Sequence, residues 1–186
     1  MLAEHLSAYL EKCRVILNMV DAAESSLLEE KTDPKGRIRL GMPLSFGLQR
    51  LMPALLQFAE THSHIELVMD LTDRRSKLIE EGIDLSIRVT SRLEPGDIVR
   101  KLGETRLLTV ASPQYLAQHS HPTHPHDLAQ HACLAYSYLD NGSVVTVLQD
   151  YEPEPLGIYA VLPSNRYIPH RVSVLINFLA SALATA

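Results

Sequence analysis

From residue 2 to residue 27 the apolar positions Leu2, Leu6, Tyr9, Cys13, Ile16, Val20, Ala23 and Leu27 step by four and three without a break. That spacing draws one narrow stripe along a helix, suited to pairing with a second helix rather than to covering a broad core. It predicts a single helix over about residues 2–30, roughly 40 Å long at 1.5 Å per residue. Thr32-Asp33-Pro34-Lys35-Gly36 ends the stripe and serves as a linker. Leu6, Tyr9, Cys13, Ile16, Val20 and Leu27 are the expected dimerisation seam.

Beyond the linker the period changes. Arg37 to Gly41 alternate polar and apolar, the period-2 mark of a strand. Strands are expected at Ile38–Met42, Ile65–Leu71 and Leu85–Val89, with helices at about 45–61 and 73–81 between them, the second closed by Gly82. This βαβαβ order predicts an α/β fold with a parallel sheet and right-handed crossovers. Glu94-Pro95-Gly96 reads as a turn, followed by extended runs at Ile98–Leu102 and Leu107–Ala111. Ser112-Pro113 then caps a short helix reaching Gln118. Residues 118–131 read as a loop rich in Pro, His and Thr. A strand Cys133–Tyr138, a turn at Asp140-Asn141-Gly142, strands near 144–148 and 157–162, and a helix from about Pro169 to Leu183 complete the chain.

Composition narrows the class. A formal charge of −5 and a pI near 6.0 argue against a nucleic-acid-binding surface within these 186 residues. Two cysteines cannot form a disulfide framework; Cys13 and Cys133 both read as small buried apolar residues, which points to a cytoplasmic setting. No stretch is long and apolar enough to cross a membrane, and Met1-Leu2-Ala3-Glu4-His5 lacks the marks of a signal peptide.

The junction at Gly41 to Gly47 carries the most chemistry. Gly41 and Pro43 end a strand, and Ser45 is placed to cap the helix that follows, presenting the N–H groups of Phe46 and Gly47 to an anion. The plainer reading of Ser45 is a helix cap alone. His119, His121, His124, His126 and His131 cluster in sequence, but Pro122 and Pro125 interrupt the helical or hairpin spacing that a metal site needs, and no metal is expected. No Gly-x-Ser-x-Gly, His-Glu-x-x-His or phosphate-cradling glycine loop occurs, and an enzyme is not expected. No cofactor is implied.

Several motifs in order carry a resemblance: Gly36-Arg37-Ile38-Arg39-Leu40-Gly41-Met42-Pro43, Leu51-Met52-Pro53, Glu80-Glu81-Gly82-Ile83-Asp84-Leu85-Ser86-Ile87-Arg88, and Ala111-Ser112-Pro113-Gln114-Tyr115-Leu116. Pro125 to His131, Tyr136-Ser137-Tyr138-Leu139, and Tyr159-Ala160-Val161-Leu162-Pro163 with the helix around Val172–Leu179 continue it. Together they resemble the effector domain of a LysR-type transcriptional regulator, of the periplasmic-binding-protein type II kind. The resemblance implies a linker and dimerisation helix over 1–35, a first subdomain over 36–112 and 144–186, and a remnant of the second over 113–143. It implies no winged helix-turn-helix in this stretch of chain, so that DNA would be met through a head not present here. Between Ser143 and Val144 roughly two βα units at some 30 residues each would be missing.

The same resemblance implies a homo-oligomer and a small, anionic effector held between two lobes. The effector residues would be Ser45, Phe46, Thr72, Arg88, Val89, Thr90 and Ser112, at the carboxyl ends of strands. Arg88 would meet the anion or pair structurally with Asp73 or Asp84, and Ser112 would be a helix cap before a ligand contact. Two other classes are weighed: a degenerate dimerising module with no ligand, and a solute-receptor lobe, which calls for a secretion signal.

Overall fold

The computed structural model describes residues 9, 10, 12, 13, 16, 17, 20, 33–133, 144–163 and 168–184. The described residues divide into two compact units, one holding the chain up to Gly103 and again from Gly157, the other Glu104–Leu156. The boundaries therefore fall at 103/104 and 156/157, inside the first-subdomain segments expected from the sequence. Of the expected seam, Tyr9, Cys13, Ile16 and Val20 are helical, and Tyr9, Ile16 and Val20 are exposed. Leu6 and Leu27 lie outside the described residues, as do residues 134–143, with most of the strand expected at Cys133–Tyr138.

In the first unit, β1 (Gly36–Met42), β2 (Ile65–Leu71), β3 (Leu85–Thr90), β4 (Ile98–Thr105) and β7 (Leu156–Leu162) form one sheet in the order β2-β1-β3-β7-β4, with β4 and β7 running across the unit boundary. β1 is parallel to both β2 and β3, with Met42 opposite Leu71 and Gly41 opposite Ser86. β7 runs antiparallel to β3, pairing Arg88 with Tyr159 and Thr90 with Gly157, so the sheet is mixed. The interior strands bury one apolar face: Ile38, Leu40 and Met42 in β1, and Leu85 and Ile87 in β3, alternate along their strands and are all nearly inaccessible.

A helical segment follows β1. It comprises α1 (Leu44–Phe46), a π-helical turn (Gly47–Leu51) and α2 (Met52–Thr61). Within the turn's closing bond, Met52 N–H donates to the Gly47 carbonyl. Pro53 has no N–H to donate four residues back and its ring would crowd the Gln49 carbonyl, so the regular ladder is interrupted at this place. α2 buries Leu55 and Phe58, and α5 (His170–Ala184) buries Val172, Leu175, Ile176 and Leu179. The two helices meet through an edge-on contact of Phe58 with Phe178, ring centroids 5.3 Å apart.

The helix expected over 73–81 is only α3 (Leu78–Glu81), closed at Gly82 as expected. Residues 73–77 stay irregular because their groups are engaged outside a helical ladder. Arg74 forms a two-pronged fork on Glu81, with both bonds at 2.8 Å, and the same carboxylate accepts the Lys77 N–H at 3.0 Å. These bonds hold the Glu81 carboxyl below the usual carboxylate range, the Arg74 guanidinium contributing most.

In the second unit, β5 (Thr109–Ala111) and β6 (Val145–Val147) pair antiparallel, and α4 (Pro113–Gln118) is capped by Ser112. The segment expected as loop contains a 3-10 helix, Pro125–Gln130. Asp127 nucleates it by accepting the N–H groups of Thr123 and His124 at 2.9 and 3.0 Å, which holds its carboxyl below the usual range. Cys133 is exposed rather than buried, and Cys13 is half-buried; both are free thiols.

A Cβ on Gly47 would lie 2.8 Å from Leu71 Cδ2 and from Met42 Cγ and Sδ. Overpacking costs about 1–3 kcal/mol and the helix gain of Ala over Gly returns up to about 1, so Gly47→Ala loses roughly 1–2 kcal/mol in denaturant unfolding. Because Glu81 has a lowered pKa, its contribution is complete above the unfolded-chain value of about 4.3 and fades as the pH falls below it. The stability difference between wild type and Glu81→Gln is therefore present at about pH 6 and shrinks as the pH falls below about 4, as thermal melts across that range would record.

Candidate functional site

Parallel pairing brings the carboxyl ends of β1, β2 and β3 to one end of the sheet, and a concavity of about 270 Å³ opens there within the first unit. Three stretches line it: Met42-Pro43 after β1, Thr72 to Ser76 after β2, and Ser86 to Thr90 with Arg92, Leu93 and Asp97 along and after β3. Its volume is slightly below the range of roughly 300–1,000 Å³ usual for small-molecule pockets.

Four arginines line the space, and their pairing is uneven. Arg74 is committed to the fork on Glu81. Arg75 donates through Nη2 to both oxygens of Asp97, at 3.0 and 3.1 Å, and through Nη1 to Glu94. Arg88 reaches the same Asp97 carboxylate through Nη1 alone, at 3.2 and 3.3 Å. Its Nε and Nη2 have no partner among the described residues, although its side chain is only 17% exposed. Arg92 is exposed, and its guanidinium has no carboxylate partner among the described residues. Asp97 is held in place by a tight turn: Pro95 precedes Gly96, whose φ of +92° is open to glycine at little cost, and Asp97 N–H closes the turn on the Glu94 carbonyl at 3.1 Å.

The expected effector residues are only partly brought together. Thr72, Arg88, Val89 and Thr90 line the concavity. Ser45 and Phe46 do not. Ser45 lies inside α1, whose cap position is Pro43, and Phe46 is a core side chain at 2% exposure. The first N–H of that helix, on Leu44, is taken by Asp73 Oδ1 at 3.1 Å, and the Gly47 N–H expected to meet an anion donates to the Pro43 carbonyl at 2.7 Å. Ser112 lies in the second unit as the cap of α4, its hydroxyl accepting the Tyr115 N–H at 3.1 Å. Neither expected structural partner of Arg88 is used by it. Asp73 serves Leu44, and Asp84 accepts the Arg39 N–H at 2.8 Å.

Sequence reasoning missed Arg75, Arg92 and above all Asp97. The usable signal was Glu94-Pro95-Gly96-Asp97 itself, since a Pro-Gly turn this close behind β3 folds the next acidic residue back towards that strand's end.

The clustered histidines are engaged locally. His119 stacks on Tyr115, with centroids 4.2 Å apart; His131 Nδ1 bonds the Tyr115 hydroxyl at 3.1 Å; and His124 Nδ1 accepts the His126 N–H at 3.1 Å. Among the described residues no group of three or more His, Cys, Asp or Glu could hold a metal ion. Among them also, no helix is long and apolar enough to cross a membrane.

Comparison with known proteins gives this architecture a family. Residues 31–139 match the LysR substrate binding domain, and the chain belongs to that family. The transcriptional regulator DmlR of Escherichia coli K12 is 34% identical over 151 residues, covering 81% of this chain and 49% of the relative. The regulator YhjC of the same organism is 23% identical over 230 positions, covering 94% of this chain and 77% of the relative. That alignment is longer than this chain's 186 residues, so YhjC carries residues that have no counterpart here. Among solved structures, that of CrgA, a LysR-type regulator from Neisseria meningitidis, matches over 94% of this chain and 78% of its own with a TM-score of 0.71 at 22% identity, a likeness of fold. The chain spans about half or less of the length of the first curated relatives it matches, which are transcriptional regulators and not enzymes.

Proposed function

We propose that this chain is the effector-sensing and dimerising portion of a LysR-type regulator, and that its effector is a small organic anion seated at the carboxyl ends of β1, β2 and β3. One observation carries the reading: Arg88, half-buried and lining the concavity, engages a carboxylate through a single nitrogen, with no partner for Nε and Nη2 among the described residues. Guanidinium recognises a carboxylate best through two parallel N–H bonds, so a ligand carboxylate completes the fork that the protein fills through one nitrogen. Thr72 and Thr90 line the same space, and Arg92 adds a positive charge facing the same acid. Family membership supports a regulator that responds to a small molecule, acts as an oligomer and meets DNA through a part of the protein other than this domain. A cytoplasmic location accords with that role. The extra positions of YhjC accord with a stretch missing from this chain, which we place at Ser143/Val144 from the sequence motifs on either side.

The test is a thermal-shift screen with small mono- and dicarboxylic acids. An acid at a hundredfold excess over its dissociation constant stabilises by about 2.7 kcal/mol, which raises the melting temperature by roughly 5–10 °C for a chain of this size. The shift is expected in wild type and lost in Arg88→Gln. A panel in which nothing binds, or an equal shift in Arg88→Gln, contradicts the proposal and favours an interaction module without a ligand.

The helical stripe containing Tyr9, Ile16 and Val20 is proposed to hold the dimer, since each exposes large apolar area on one chain. Ile16→Glu combined with Val20→Glu should convert the oligomer to a monomer in sedimentation, with the effector domain still folded. An unchanged oligomer places the interface elsewhere.

A further inference from the structure

We infer that Asp97 is a resident stand-in for the ligand's carboxylate, and that an acidic effector binds by exchanging with it on Arg88 and Arg75. The inference rests on the effector reading above and adds how the site is regulated. A single carboxylate is here shared by two guanidiniums, each of which spends only one nitrogen on it. The four contacts, at 3.0–3.3 Å, are longer than the 2.8 Å of the Arg74–Glu81 fork in the same unit, and longer than charge-assisted bonds usually run. Asp97 is thus divided between two partners and satisfies neither in the way that an undivided carboxylate does. An arriving acid can present two oxygens squarely to Arg88, using the Nε and Nη2 that Asp97 leaves idle.

The exchange also has somewhere to lead. Asp97 accepts the Glu94 N–H at 3.1 Å as well as the two arginines, so it pins the turn Glu94–Asp97 that starts β4 at Ile98. β4 is the strand that carries the chain from the first unit into the second, the boundary falling at Gly103/Glu104. Releasing Asp97 from the arginines loosens the first residues of that strand, leaving the Arg75–Glu94 pair as the turn's remaining tether, while the arginines stay occupied. Charge is conserved in the exchange: one carboxylate leaves the guanidinium pair as another takes its place, so binding does not leave two cations facing each other. The pocket stays closed to neutral compounds, which cannot replace the charge that Asp97 supplies.

The experiment titrates acetate, with acetamide as the uncharged control, and follows the arginine side-chain N–H signals by NMR. In Asp97→Asn the resident charge is gone, and acetate is expected to bind at least about tenfold more tightly than to wild type. Acetamide is expected to bind neither protein, and the gain should vanish in the double variant Asp97→Asn/Arg88→Gln. Asp97→Ser substitutes if Asp97→Asn does not fold. Asp97→Glu, which keeps the competing charge, should stay near wild-type affinity. Equal or weaker acetate binding in both neutral variants, or a gain that persists without Arg88, overturns the exchange. Failure here with an Arg88-dependent acid in the thermal screen would leave the effector reading standing. A tenfold gain with no acid found in that screen would do the reverse.

Discussion

The parallel pairing of β1 with both β2 and β3 is the constraint on which the site depends. Parallel strands point their carboxyl ends the same way, so three separate loops must arrive at one end of the sheet. Their backbone groups are free of the ladder there, and the concavity is the space left between them. Antiparallel β7 on the far side of β3 completes the sheet, its first residues meeting the end of β3, with Gly157 opposite Thr90. Close packing supports the arrangement: Gly47 lets the first turns after β1 approach Met42 and Leu71 nearer than any side chain would permit.

Charge is handled in the concavity by internal pairing. Arg74, Arg75 and Arg88 all have carboxylate partners from the chain, and Asp73 occupies the helix N–H that an anion would otherwise seek. Pairs of this kind hold the loops in place without a ligand, but they do so unequally. The Arg74–Glu81 fork is short and complete, whereas Asp97 is divided between two arginines. Only the divided pair leaves a reason for a ligand to displace it.

Much of the architecture is legible in the sequence because period and turn chemistry are local. The strands at Ile38–Met42, Ile65–Leu71 and Leu85–Val89, the closure at Gly82 and the Ser112 cap all rest on residues within a few positions of one another, and all are present. The site is less legible because it depends on partners distant in sequence. Ser45 was a sound cap by composition, yet the cap position fell on Pro43 and the first N–H went to Asp73, 29 residues away. Phe46 is expected at the site from its place beside Ser45, but its aromatic bulk carries it into the core. The helix expected over 73–81 shortened because Arg74 and Lys77 found Glu81, a contest between side-chain bonds and helical ladder that local propensity does not decide. Arg88 was identified by its position at a strand end, but its partner Asp97 is brought to it only by the Pro-Gly turn.

The central claim is that Arg88 completes its fork on a ligand carboxylate. The most direct measurement is a crystal structure of the protein with an acid selected by binding. The account predicts the acid's carboxylate within hydrogen-bond distance of two Arg88 nitrogens, with Asp97 withdrawn from that guanidinium. A bound acid that leaves the Arg88–Asp97 contacts as they are, or that sits away from the ends of β1, β2 and β3, would contradict it.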